Sequence, residues 1–229
     1  MAFAAPKKLV FLHIPKTAGS SVGRFFDAQF NPLEICLIYD GNIKTQLAAA
    51  LEDDNIRFIR GHFGLYKPLL EQLPNPDIFV FTFLREPVQR ILSLYNHMQR
   101  KQSVEHKNRM KSVASLPDFL ALKTDYNEQT RYLSGVQDKS AFHENPEKAF
   151  QAALSNLDLL GFIGHTENLE NDLAAICSAL GFEAAPINIE NKGLSRLKQQ
   201  LLLLRYQSII AKQEVWDLKL YRSLSKKRP

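Results

Sequence analysis

Apolar residues in this chain gather in short unbroken runs, separated by stretches in which they recur every three or four positions. Lys7–Ile14, KKLVFLHI, predicts a buried strand. Asn55–His62, NIRFIRGH, predicts a second, and Asp77–Arg85, DIFVFTFLR, is the strongest of all. Leu157–Glu167, LDLLGFIGHTE, predicts a fourth. The unbroken run at Asp77–Arg85 signals a central strand covered on both faces. Helical spacing follows the first run at Val22, Phe25 and Phe26. Behind Pro87 it returns at Val88, Ile91, Leu92, Tyr95 and Met98. SLPDFLAL and NPEKAFQAALSNL predict further helices, each with Pro near its start. From Gly193 the chain reads as two helices and a basic SKKRP tail. Strand–helix alternation requires parallel strands joined by crossovers. The expected fold is α/β, a three-layer sandwich with a central parallel sheet and a helical C-terminal portion. Lys101–Lys111, KQSVEHKNRMK, is the best candidate for a mobile loop or lid.

The 229 residues suit one domain, expected over 1–229, with no repeat, low-complexity tract or linker. A net charge of +5 falls short of the dense basic character of a nucleic-acid binder. It suits an anionic small molecule or an acidic acceptor, and equally an ordinary solvated surface. The two cysteines, Cys36 and Cys177, lie far apart in apolar surroundings and form no C-x-x-C. They read as buried free thiols, without a zinc site or a disulfide framework, which favours a reducing compartment. The N-terminal MAFAAPKK lacks a signal-peptide core, and Leu9–Ile14 is too short to cross a membrane. The expectation is a cytoplasmic protein without a membrane span.

The first run ends abruptly in HIPKTAGSS, residues 13–21. In an open α/β sheet ligands sit at the carboxyl ends of the strands. A helix starting near Gly19 presents unpaired N–H groups to an anion there. Ala18 and Gly19 allow a phosphate to approach the backbone, Thr17, Ser20 and Ser21 offer hydroxyls, and Lys16 adds a positive charge. An ordinary capped helix with a surface Lys would read similarly. A Walker A loop does not match, because Lys16 precedes Gly19 and no Gly lies upstream in the loop. The second element is FLREPVQRILSLY. Arg85 ends the strongest strand and can grip an anion bidentately; Ser93 stands about two turns into the next helix. Pairing of Arg85 with Glu86 or another carboxylate is the plain alternative.

HIPKTAGSS, RGHF and FLREPVQRILSLY, in that order, resemble the sulfotransferases that use 3′-phosphoadenosine 5′-phosphosulfate (PAPS). The resemblance is nearest to the carbohydrate-type branch with the heparan and uronyl 2-O-sulfotransferases and their bacterial relatives. Weaker echoes in NEQTRYLSG and GHTENLENDLAAICSALGF extend it over most of the chain. It implies a P-loop-like sulfotransferase fold and transfer of a sulfuryl group from PAPS to a hydroxyl acceptor, with carbohydrate favoured by analogy. Adenosine 3′,5′-bisphosphate (PAP) is the product, and no metal is expected.

By that resemblance Lys16, Thr17, Ala18, Gly19, Ser20 and Ser21 form the 5′-phosphosulfate loop, with Lys16 at the leaving oxygen. Arg85 and Ser93 bind the 3′-phosphate. His62 aligns with the catalytic His of the 2-O branch and is the expected base, with His13 a second candidate. The 2-O enzymes carry His-Gly-His where this chain has Arg60-Gly61-His62. Arg60 can bind an anionic acceptor or pair with Asp53 or Asp54. Asn127, Gln129 and Arg131 are expected near acceptor or nucleotide, though a helix surface would look alike. Thr166 and Glu167 are expected near the adenine, and Asn188, Asn191 and Lys192 on a loop over the 3′-phosphate. The Trp216 and Tyr221 pattern reads as core packing. A nucleotide-dependent small-molecule kinase and a non-catalytic PAP-binding domain are the competing readings.

Overall fold

In a computed structural model of the chain, residues 6–73, 75–100, 107–108, 110–122, 126–183 and 196–225 are described. Most of the predicted lid over Lys101–Lys111, and the loop with Asn188, Asn191 and Lys192, lie outside them. Five strands form one sheet: β1 (Lys8–Leu12), β2 (Ile35–Ile38), β3 (Phe58–Gly61), β4 (Ile78–Leu84) and β5 (Phe162–His165). Their order is β2-β3-β1-β4-β5 and every pairing is parallel. Four of the strands match the predicted runs. The fifth, β2, went unanticipated although Ile35–Tyr39, ICLIY, is apolar throughout: the strand is only four residues long and lies at the sheet edge, with Leu37 half exposed.

Each crossover from β1 to β4 carries a helix: α1 (Gly19–Asp27), α2 (Ile43–Glu52) and α3 (Lys67–Gln72). Between β4 and β5 lie α4 (Pro87–Arg100), α5 (Leu116–Ala121), α6 (Glu128–Ser134), α7 (Lys139–Glu144) and α8 (Pro146–Leu157). After β5 come α9 (Leu169–Leu180), α10 (Arg196–Gln213) and α11 (Val215–Ser225). Local chemistry fixes many of the starts. Asn42, Asp138 and Asn145 side chains cap α2, α7 and α8. Ser115 and Asp118 make a capping box for α5.

Strand pleating sorts the core into two layers. Leu9, Phe11, Phe58, Phe81 and Phe83 point to the side of α1 and α9, where Val22, Phe26, Leu173 and Ile176 meet them. This layer is dominated by phenylalanine, with Phe11 and Phe81 stacked at 4.8 Å. Val10, Leu12, Ile59, Val80 and Leu84 point the other way, onto α2, α3, α6, α8 and α11. The three-layer α/β sandwich is therefore as expected. A third cluster joins α4 and α5 to Tyr126 and Ile210 of α10, outside the sheet.

Buried polar groups lock this helical part to the sheet. Asn127, at the start of α6, accepts from the N–H groups of Trp216 and Asp217 and so caps α11. Asp217, in the first turn of α11, accepts from the N–H groups of Gln129 and Thr130 and caps α6 in return. The fully buried Arg90 of α4 sits between, 3.3 Å from Glu214 and 3.8 Å from Asp217. Breaking such a pair strands the remaining charge in the interior. Asp217→Ala should lower unfolding stability by about 3–5 kcal/mol in urea titrations; a change inside ±0.5 kcal/mol, as at an ordinary surface site, would show that the reciprocal capping carries no weight.

Candidate functional site

Because the strands are parallel and β1 lies between β3 and β4, the segments leaving all three emerge at the same edge. They are the 13–18 loop, His62 and Arg85. The loop is built on two left-handed residues, Lys16 (φ 73°) and Ala18 (φ 63°), flanking Thr17. Such alternation turns successive N–H groups toward one point, the geometry of an anion nest. Ala18 is also the N-cap of α1, and no side chain caps that helix. The loop and the first turn of α1 thus offer backbone donors where an anion is favoured.

Thr17 differs from expectation. It is fully buried, and its hydroxyl donates to the Ile14 carbonyl at 2.9 Å. It anchors the loop rather than offering its hydroxyl to a ligand. Ser21 is buried and Ser20 exposed on the first turn of α1. Gly19 is required by its neighbour: a Cβ there would lie 1.8 Å from the His13 ring.

Arg85 joins the second strand end to the first. Its guanidinium donates to the Lys16 carbonyl at 3.3 Å. Among the described residues it pairs with no carboxylate. Glu86, the plain alternative, instead accepts from the N–H groups of Val88 and Gln89 and caps α4. Burial pushes the Arg85 guanidinium below its ordinary value, against the nearby charges of Glu167 and Glu86. Gln129 fixes the arginine's backbone, accepting from its N–H at 2.8 Å and donating to its carbonyl at 3.0 Å. Ser93 stands half-buried on α4 and makes no hydrogen bond to Arg85.

On the other side of β1, His62 follows Gly61, whose missing side chain lets β3 close on β2: a Cβ would fall 1.7 Å from the Ile38 carbonyl. His62 Nδ1 lies 2.7 Å from the His13 carbonyl. A carbonyl only accepts, so Nδ1 carries the hydrogen and Nε2 holds the basic lone pair. The rings of His13 and His62 are 4.3 Å apart. Burial holds His13 well below the usual histidine range, and His62, Arg60 and Lys16 reinforce the effect. His13 is therefore held neutral at a tip made electropositive by Arg60 and Lys16.

Several expected contacts resolve differently. Arg60 pairs with Asp27, at 2.7 Å from Nε and 2.5 Å from Nη2, and not with Asp53 or Asp54. Its Nη1 donates to the Tyr39 hydroxyl. Asn127 and Gln129 are buried in the capping network, and Arg131 pairs with Glu128 at 2.8 Å, so these polar groups are engaged in the scaffold. Thr166 donates to the Leu84 carbonyl at 3.0 Å, and Glu167 accepts from Glu86 N–H and the Tyr221 hydroxyl. Trp216 packs on Phe150 at 5.4 Å, in keeping with a core role. Cys177 is buried and Cys36 half-buried, both free thiols. Asp27 and Tyr39 belong to the site and were not anticipated. Tyr39 follows the unrecognised strand β2, and only that strand brings it beside His13 and His62.

A family model described as the sulfotransferase family matches residues 1–226. Among solved structures, a mouse sulfotransferase, SULT7A1, complexed with PAP aligns at 14% identity and TM-score 0.48 over 80% of this chain and 61% of its own. The chain therefore spans under two thirds of that relative. A sulfotransferase from Alicyclobacillus acidocaldarius aligns at 15% identity and TM-score 0.44, over 93% of this chain and 95% of its own. No curated protein gives a significant match. Among the described residues no cluster of metal-ligating side chains occurs, and no helix is long and apolar enough to cross a membrane.

The buried His13 has a consequence in solution. The unfolded chain takes up a proton at this residue near the ordinary value of 6.5, whereas the folded chain resists it. Its contribution to stability is complete above that value and is lost as pH falls below it. Thermal midpoints should decline on acidification through pH 6 and flatten in His13→Phe; an unchanged slope in the variant would contradict a neutral buried ring.

Proposed function

The chain belongs to the sulfotransferase family, and we propose that it transfers a sulfuryl group from PAPS to a hydroxyl of a carbohydrate acceptor, releasing PAP. The observation that carries this reading is the hydrogen bond from Arg85 to the Lys16 carbonyl. It joins the two anion-binding elements at neighbouring strand ends. PAPS has phosphate groups at both its 3′ and 5′ positions and calls for two such cradles. In this reading residues 1–229 act as one domain, in the cytoplasm, without nucleic-acid partners and without a metal.

The chemistry assigned to the residues balances simply. The acceptor oxygen attacks sulfur and its proton passes to Nε2 of His62, whose Nδ1–H stays on the His13 carbonyl and steadies the imidazolium. The bond from sulfur to the 5′-phosphate oxygen breaks. Lys16 and the N–H groups from Ala18 to Ser20 meet the charge that collects on the leaving oxygen. Arg85 holds the 3′-phosphate, with Ser93 on the helix behind it. Thr17 keeps the loop in shape from within, and Ser20 and Ser21 complete the 5′-phosphosulfate loop on the first turn of α1. Carbohydrate is preferred as acceptor because the RGH segment is most like the 2-O branch, although Arg60 stands where that branch has its first histidine.

Two measurements test the assignment. Arg85→Ala should weaken PAP at least tenfold more than it weakens adenosine 5′-phosphosulfate, which lacks the 3′-phosphate; equal losses by calorimetry would remove Arg85 from that role. His62→Asn should lower kcat by about 10²–10⁴ while PAP affinity stays within a factor of two. Retained turnover in transfer from radiolabelled PAPS to a glycoside panel would exclude His62 as the base.

A further inference from the structure

His13 follows β1 directly and is wedged among three elements. Its ring stacks on Phe11 at 5.6 Å with only 5° between planes. It lies against the backbone of Gly19, the first residue of α1, so that a Cβ there would come within 2.0 Å of Nε2. Nε2 thus sits at the turn where the loop donors converge. Nδ1 is directed to the other side, 3.2 Å from the Tyr39 hydroxyl.

The chain behind Tyr39 bears on which nitrogen is protonated. A guanidinium only donates. Arg60, held by Asp27, donates to the Tyr39 oxygen. With that oxygen engaged as an acceptor, the Tyr39 hydroxyl has its hydrogen available for His13 Nδ1, 3.2 Å away. The hydrogen of the neutral ring is then on Nε2, beside Gly19. In that arrangement the adjacent histidines are opposite in kind. His62 keeps its hydrogen on Nδ1 and its lone pair on Nε2; His13 is the reverse. The charged and titratable groups facing His13 are Lys16, Arg60, His62 and Tyr39, none of which would stabilise a second imidazolium.

We propose that Asp27, Arg60 and Tyr39 hold His13 as a neutral Nε2–H donor at the first turn of α1, where it hydrogen-bonds a sulfuryl oxygen of the donor during transfer. The assignment rests on the sulfotransferase reading above. A neutral donor serves this position well. The sulfuryl group is uncharged as a free unit, and a cationic ring 4.3 Å from His62 would oppose protonation of the base. Asp27, Arg60 and Tyr39 are positioning residues, acting only through His13.

Replacement by Gln keeps an N–H near the Nε2 position; replacement by Phe keeps the ring and removes the donor. With radiolabelled PAPS and a panel of aryl glycosides, His13→Phe should lose about 10²-fold in kcat, with PAP, which lacks the sulfuryl group, bound within a factor of two. His13→Gln should recover at least a tenth of wild-type kcat. Imidazole-nitrogen NMR of the wild type should show His13 as the Nε2–H tautomer across about pH 5–8, and Tyr39→Phe should mix the tautomers. Equal losses in the Gln and Phe variants, or PAP affinity falling in step with kcat, would overturn the assignment, as would an Nδ1–H signal at His13. Wild-type protein that neither binds PAP nor transfers sulfate would overturn the donor reading and this assignment together, whereas an active wild type with indifferent His13 variants removes His13 alone.

Discussion

A central strand with parallel neighbours on both sides is the constraint from which the site follows. β1 has β3 on one flank and β4 on the other, so the chain leaves the sheet three times along one edge. β1 connects outward to the β2 side, while β4 continues toward β5, and the crevice opens where those directions part. The hydrogen bond from Arg85 to the Lys16 carbonyl closes that crevice at its base. Without it, the lysine turn and the arginine would be independent surface features. With it, any ligand gripped by one is within the influence of the other.

The scaffold around this edge is unusually polar for an interior. Asn127 and Asp217 cap each other's helices, and Arg90 and Glu214 fill the space between. Gln129 extends the network to the backbone of Arg85 by two hydrogen bonds. Buried networks of this kind rarely add net stability over an apolar core, but in some proteins they select one register. Here the register concerns the helical part outside the sheet, and its effect is to fix the strand end that carries the arginine. Residues that look like ligand contacts in the sequence are thus used one layer behind the site.

How much was legible in the sequence follows from where each signal resides. Apolar-rich runs revealed β1, β3, β4 and β5, most clearly the seven-residue β4, whose two faces pack on opposite helical layers. β2 is apolar throughout but only four residues long and at the edge, too short to stand out from its polar flanks, and with it Tyr39 was missed. The lysine turn could be read because the small residues Ala18 and Gly19 stand beside Lys16 at a strand-to-helix junction, whereas the packing of His13 on Gly19 is visible only in the fold. The partners of charged groups could not. Arg60 finds Asp27, 33 positions upstream on α1, and sequence proximity wrongly suggested Asp53 or Asp54. The hydroxyl of Thr17 was similarly ambiguous, since only the fold reveals the carbonyl of Ile14 beneath it. Pairing over long separations is a property of topology, and composition holds no trace of it.

The central claim is that one doubly phosphorylated nucleotide spans the lysine turn and Arg85. A crystal structure of the protein grown with PAP tests it most directly. The account predicts the 5′-phosphate on the N–H groups of Ala18, Gly19 and Ser20 with Lys16 beside it, and the 3′-phosphate on the Arg85 guanidinium. PAP bound with either phosphate away from these groups, or bound elsewhere on the chain, would contradict it.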